Sequence, residues 1–164
     1  MCEEEVSIES VLNYDLINLH LNGRTKDEIL REMCEMLYKA KRINSVDEFI
    51  ADVYLREEEG LTGIGDSIAI PHGKSDSVEK TSIVVGRTDE FVEWPSIDGK
   101  PVKIIIMLAI KSFDKTVHIK LLSKIATSLC NHKTIEKLLE AEEKQEVIDL
   151  FSTKEGDKLW KLLE

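Results

Sequence analysis

Apolar residues change their spacing several times along this chain, and each change predicts an element. Ile17, Leu19 and Leu21 fall on alternate positions, which predicts a strand over residues 16–21, closed by Asn22-Gly23. Thr25 and Glu28 then form a capping-box pattern, and Ile29, Met33, Met36, Leu37 and Ala40 follow at helical spacing. Ser45 and Glu48 repeat the box ahead of a second stripe made by Val46, Phe49, Ile50, Val53 and Tyr54. From Gly60 to Gly73 the periodicity stops. The stretch holds four of the chain's eight glycines and reads as a loop, a short strand Ile68–Ile70, and then Pro71-His72-Gly73. Two strand-like segments follow, Thr81–Arg87 and Val102–Ile110, with a turn signal at Asp98-Gly99 between them. Helical spacing returns at the end. Asp114 reads as the cap of a helix to about Cys130, and further helices are marked by Ile135, Leu138 and Leu139 and by Val147, Ile148 and Phe151. Leu159, Trp160, Leu162 and Leu163 read as a tail packing back onto the body.

Ile104–Ile110 is apolar without alternation. Such a strand is normally buried on both faces, which requires helices on both sides of its sheet. The expected fold is therefore α/β, a three-layer α/β/α sandwich with a mixed sheet. At 164 residues the chain has room for one domain with a sizeable core and no second one. The single domain is expected to run over residues 1–164 with its core at about 6–151.

Composition narrows the possible partners. The chain has 22 Lys and Arg against 32 Asp and Glu, for a net charge of −10. A phosphate backbone repels such a protein, so nucleic acid is not an expected partner. The apolar run 104–110 is closed by Lys103 and Lys111 and falls far short of the roughly 20 residues that span a bilayer, so no membrane insertion is expected. The opening Met-Cys-Glu-Glu-Glu does not read as a targeting peptide. Cys2, Cys34 and Cys130 are too far apart for a zinc spacing or a disulfide framework, and unpaired thiols fit a cytoplasmic location.

The histidines carry the candidate chemistry. His20 lies opposite the apolar face of its strand and reads as a surface residue. His132 follows the predicted helix to Cys130, where a helix C-terminus favours a cation. His72 differs from both. Pro71 before it fixes φ and lacks an N–H, and Gly73 after it permits close approach. It stands at the end of a short apolar strand, where open α/β sheets place their ligands. An imidazole presented this rigidly suits nucleophilic catalysis or metal binding. His118 would fall in the first turn of a helix capped by Asp114, where free N–H groups attract anions and favour the neutral ring. Together His72 and His118 could hold a phosphoryl group. Competing chemistries lack their signatures. There is no zinc ligand spacing, no Gly-x-Ser-x-Gly elbow, and no Gly-Lys-[Ser/Thr] after Gly60–Gly65.

The residues around His72 also form a specific pattern. Arg56-Glu57, then Thr62-Gly63-Ile64-Gly65, then Ile68-Ala-Ile-Pro-His-Gly73 resembles the enzyme IIA component of the phosphoenolpyruvate-dependent sugar phosphotransferase system, of the fructose/mannitol class (type 2). The resemblance continues through Trp94–Val102, the strand to Ile110, and His118–Ala126, and covers roughly Val6 to Phe151. It implies a phosphotransferase with no cofactor and no metal. The small carrier HPr would donate a phosphoryl group to His72, which would pass it to a cysteine of the IIB component, serving the membrane transporter IIC. A fructose-like sugar is favoured. The same resemblance makes His118 an assisting residue and Arg56 and Thr62 phosphoryl-binding residues. It leaves open a regulatory module, in which the phosphorylation state of His72 controls binding to a kinase, channel or transcription factor. Ser67 stands where the family often has Gly, Thr116-Val117 stands where polar residues are commoner, and Ile119 replaces a usual Leu.

Overall fold

The computed structural model describes residues 11–113, 120, 123–125, 127–128 and 131–152. A 3-10 turn, Tyr14–Leu16, leads into β1, Ile17–Asn18. Two helices follow, α1 (Lys26–Lys39) and α2 (Val46–Glu59). The strands β2 (Gly63–Gly65), β3 (Ile68–Ala69), β4 (His72–Ser75), β5 (Ser82–Val92) and β6 (Val102–Lys111) come next. Helical residues at 123–125 and 127–128 precede α3, His132–Glu140, and α4, Lys144–Ser152. The predicted cap at Asp114, His118, Cys2, Cys130 and the tail from Leu159 lie outside the described residues.

Both N-caps form, each as the side-chain half of its predicted box. Thr25 Oγ1 accepts from Glu28 N at 3.2 Å, and Ser45 Oγ accepts from Glu48 N at 3.2 Å. In the first box the carboxylate reaches one residue further back, with Arg24 N donating to Glu28 Oε2 at 2.9 Å. The helices then bury the faces their spacing predicts, Ile29, Leu30, Met33, Cys34 and Leu37 on α1 and Phe49, Ile50 and Val53 on α2. Burial pushes the Cys34 thiol up to about 12, so this cysteine is inert packing.

The sheet is mixed, in the order β1-β5-β6-β3-β2, with β4 also on β6. β5 runs antiparallel to β6, and β1 runs parallel to β5. On its other edge β6 pairs in parallel with β3 at Ile104–Ile105 and then with β4 from Leu108 to Lys111. Thus β3 and β4 form one line of strand along β6, interrupted at Ile70-Pro71. Pro71 has no N–H to give, and Ile70 N turns away to Thr62 O at 2.9 Å. Pro71 O still accepts from Leu108 N at 3.0 Å, so the strand resumes at once.

Every residue of Ile104–Ile110 is 0–1% exposed. Helices cover both faces of the sheet, as that burial requires. A Cβ at Gly73 on β4 would sit 3.0 Å from Phe49 and Val53, so α2 lies directly over this face. Gly73 opposes Ala109, which shares a face with Ile105 and hence with Gly86. Arg87, one residue on, faces the other way. Its Nη1 donates to the carbonyls of Leu138 and Leu139 at 2.9 and 3.2 Å, at the C-terminal end of α3. A buried cation there meets the negative end of the helix dipole.

Two elements differ from the sequence expectation. The first strand is only Ile17–Asn18, although Leu19 and Leu21 are buried and Leu21 N still donates to Arg87 O at 2.9 Å. Asn18 Oδ1 takes His20 N and breaks the ladder, since a local side-chain bond competes with strand pairing. β5 runs to Val92, past the expected end at Arg87, with an irregularity between Arg87 and Val92.

Candidate functional site

His72 does not end a strand, as its sequence position suggested. It restarts one, as the first residue of β4 opposite Leu108. The break at Ile70-Pro71 sets the ring against the end of α2. His72 Nδ1 lies 3.1 Å from Ile70 O, and the Arg56 Nε–H donates to His72 Nε2 at 3.1 Å. A carbonyl can only accept and a guanidinium can only donate. The pair of contacts therefore fixes the tautomer, with the proton on Nδ1 and the lone pair on Nε2. Burial, the largest influence, pushes the His72 pKa below the usual histidine value, and the Arg56 charge pushes the same way. The Ile70 carbonyl, Glu57 and Glu59 oppose this without reversing it. The ring is neutral, with Nε2 as its unprotonated nitrogen.

Arg56 sits one turn before the end of α2 because Phe49, Val53 and Arg56 share a face of that helix, which the first two bury on the sheet. Its Nη1 reaches Gly60 O at 3.4 Å, and its Nε lies 4.0 Å from Glu59 Oε2. The contact with Glu59 is thus the loosest of the three, and that with His72 the tightest.

Thr62 is held by two other side chains. Its side chain is buried, and its hydroxyl donates to Glu57 Oε1 at 2.7 Å while accepting from the Trp94 indole N–H at 3.2 Å. The single hydroxyl proton goes to Glu57, so in this geometry Thr62 braces that carboxylate. Glu57 also pairs with the Lys26 ammonium through Oε2. Nothing in the sequence linked Lys26 or Trp94 to the site, since 31 residues separate Lys26 from Glu57.

The loop carrying Thr62 is pinned to the next turn. Ile97 N donates to Gly63 O at 3.0 Å, and a Cβ on Gly63 would meet Pro95 O at 2.6 Å. Here glycine is needed for close approach. At the β2–β3 turn Asp66 and Ser67 both have positive φ, 54° and 70°. The family's usual glycine at position 67 has a physical reason, and Ser67 accepts the left-handed strain that glycine would avoid.

The remaining candidates fall away from the site. His20 is exposed, with Nδ1 2.9 Å from Asp89 Oδ1. His132 is the first residue of α3, behind the cap Asn131, so it faces the positive end of a dipole and not the negative end expected for it. Lys74 is exposed. His118 lies outside the described residues. Among the described residues no cluster of His, Cys, Asp and Glu is placed to hold a metal ion, and no helix is long and apolar enough to cross a membrane.

Comparison with known proteins places the chain in a family. The family described as "Phosphoenolpyruvate-dependent sugar phosphotransferase system, EIIA 2" matches residues 10–154. The fructose-specific EIIA component of Haloferax volcanii is 32% identical over 145 residues, covering 88% of this chain and 94% of that protein. The fructose-specific EIIABC component of Bacillus subtilis is also 32% identical, but this chain spans only 23% of its length. Among solved structures, nitrogen regulatory protein IIA-Ntr from Neisseria meningitidis superposes with a TM-score of 0.78 at 28% identity, covering 86% of this chain and 96% of that one. Enzyme IIA mannitol of Escherichia coli, solved in complex with phosphorylated enzyme IIB mannitol, gives a TM-score of 0.74 at 26% identity, over 86% and 96% of the two chains. The mixed three-layer fold and these matches together show that the chain belongs to the EIIA type 2 family of the phosphoenolpyruvate-dependent sugar phosphotransferase system, a phosphotransferase that acts as a phosphocarrier.

Proposed function

We propose that His72 accepts a phosphoryl group from phospho-HPr on Nε2 and passes it to a cysteine of a IIB component, which serves a IIC transporter in the uptake of a fructose-like sugar. The observation that carries this reading is the fixed tautomer of His72, with Nε2 unprotonated and beside Arg56. Nε2 attacks phosphorus in line, the new N–P bond forms, and the donor's N–P bond breaks with its electron pair leaving on the donor imidazole. The proton stays on Nδ1, where the Ile70 carbonyl steadies the positive charge the ring acquires. That charge also makes His72 a good leaving group for the second transfer. Phosphoryl transfer has a loose transition state, so positioning and charge do most of the catalysis. Arg56 shields the lone pair at rest and turns its donors to the phosphoryl oxygens as the donor arrives. The family resemblance assigns His118 the assisting role, and neither a metal nor a cofactor enters the scheme. The cytoplasm, where a soluble donor meets a transporter's inner face, is the location this function requires.

Incubation with purified phospho-HPr and then with IIB proteins tests the reading. It predicts one acid-labile phosphate per chain, which a cognate IIB removes. The likeness to IIA-Ntr supports a second reading, a regulatory domain. In that case His72 takes up phosphate but no IIB discharges it, and a protein partner binds one phosphorylation state only.

The His72 environment sets the pH dependence. The folded pKa is lowered from the ordinary value of 6.5, so the neutral ring predominates at and above that value. The rate of uptake is expected to fall as pH drops, with its midpoint below 6.5. Stability linked to this ring has the same sign, present above the unfolded pKa and lost as pH falls through the folded one. A rapid-mixing profile that declines already above pH 7 contradicts the assigned environment.

A further inference from the structure

Behind the His72–Arg56 pair lies a polar cluster that the transfer scheme leaves without a role of its own. Glu57, next in the chain to Arg56, has a side chain only 8% exposed. Its Oε2 pairs with Lys26 from the first turn of α1, and its Oε1 takes the Thr62 proton. Trp94 completes the cluster, donating its indole N–H to Thr62, with the Lys26 ammonium 5.2 Å from its ring centroid. Lys26 is the cation on this carboxylate, and it arrives from a different helix.

A buried carboxylate beside a phosphoryl site needs such a cation for two reasons. Its charge opposes the arrival of an anionic group. It also competes for the neighbouring guanidinium, because an enclosed, uncompensated charge draws whatever cation is within reach. We propose that Lys26 is a positioning residue for phosphoryl transfer: by pairing with Glu57 it leaves the Arg56 guanidinium free to serve His72 and the incoming phosphoryl group. This rests on the assignment of His72 as the acceptor. The Glu57 charge also acts on His72 directly, opposing the depression of its pKa, together with Glu59 and against Arg56. The first turn of α1 has a separate anchor, since the Tyr54 hydroxyl donates to Asp27 at 2.7 Å, so α1 does not depend on Lys26 for its docking on α2.

The test compares wild type, Lys26→Met, Lys26→Arg and the double variant Lys26→Met/Glu57→Gln with purified phospho-HPr as donor. Uptake is followed by rapid quench, and the His72 ring is titrated by NMR. Lys26→Met should slow uptake by more than about fivefold while still reaching one phosphate per chain, and its His72 pKa should rise relative to wild type. Lys26→Arg and the double variant should each stay within about fivefold of wild type, the first because it keeps the cation and the second because it removes the charge that needed one. A folded Lys26→Met protein that takes up phosphate within fivefold of wild type, with its His72 titration unmoved, overturns the proposal. So does a folded double variant slower than that limit, which holds even if the single variant does not fold. A wild type that takes no phosphate overturns instead the assignment of His72 as acceptor.

Discussion

Replacement of His72 by Ala is expected to abolish phosphoryl uptake from phospho-HPr and to leave the fold in place. The ring is half-buried at the start of an edge strand, outside the apolar core formed by Ile104–Ile110 and the helices over it. Its loss removes the Nε2 lone pair and two polar contacts, to Arg56 Nε and Ile70 O. Neither partner is left in an enclosed apolar site, because Arg56 keeps Gly60 O and Glu59 within reach. His72→Gln sharpens the experiment, since its amide can still accept from Arg56 but offers no nucleophilic nitrogen. Intact-mass measurement under non-acidic conditions should show one added phosphate on the wild type and none on either variant. Circular dichroism and thermal melting should remain close to wild type. A variant that becomes fully phosphorylated would place the acceptor elsewhere in the chain.

The second large effect is expected at Arg56. Arg56→Gln should slow uptake about ten- to hundredfold without lowering the final level of one phosphate. That range corresponds to the loss of one charge-assisted hydrogen bond, roughly 1.5–3 kcal/mol. The His72 pKa should rise at the same time, because the Arg56 charge is one of the influences that lower it. The two readouts separate a role in transfer from mere bracing of the loop. A surface arginine paired chiefly with Glu59 would change neither, and bracing alone would lower the melting temperature with the titration unmoved. Lysine at this position should rescue only partly, since it supplies charge without the planar fork of donors.

The elements that could be read from the sequence are those whose cause is local. Thr25 with Glu28 and Ser45 with Glu48 mark helix starts because the bonds they make span three residues. The unalternating run at 104–110 required helices on both sides of the sheet, and Gly73 beneath α2 and Arg87 at the end of α3 show them there. His72 stood out because proline and glycine flank it, and Arg56 because it belongs to the same family pattern.

Thr62 shows where such reading ends. A hydroxyl between glycines near a candidate phosphoryl site looks like a ligand, and only the approach of Glu57 and Trp94 shows that its proton is spent. The reversal at His132 has the same origin, because the residue looked like the end of one helix and is the start of another. By itself, then, the sequence determined the helix starts, the doubly covered sheet and the family, and it singled out His72 as the candidate acceptor. All of these rest on short-range spacing or on a contiguous motif. Tertiary structure alone decided the tautomer of His72, the turn of Arg56 toward it and the pairing of Lys26 with Glu57. These depend on groups 16 and 31 residues apart in the chain being brought within bonding distance. The sheet and its helices fix those distances, and no local pattern encodes them.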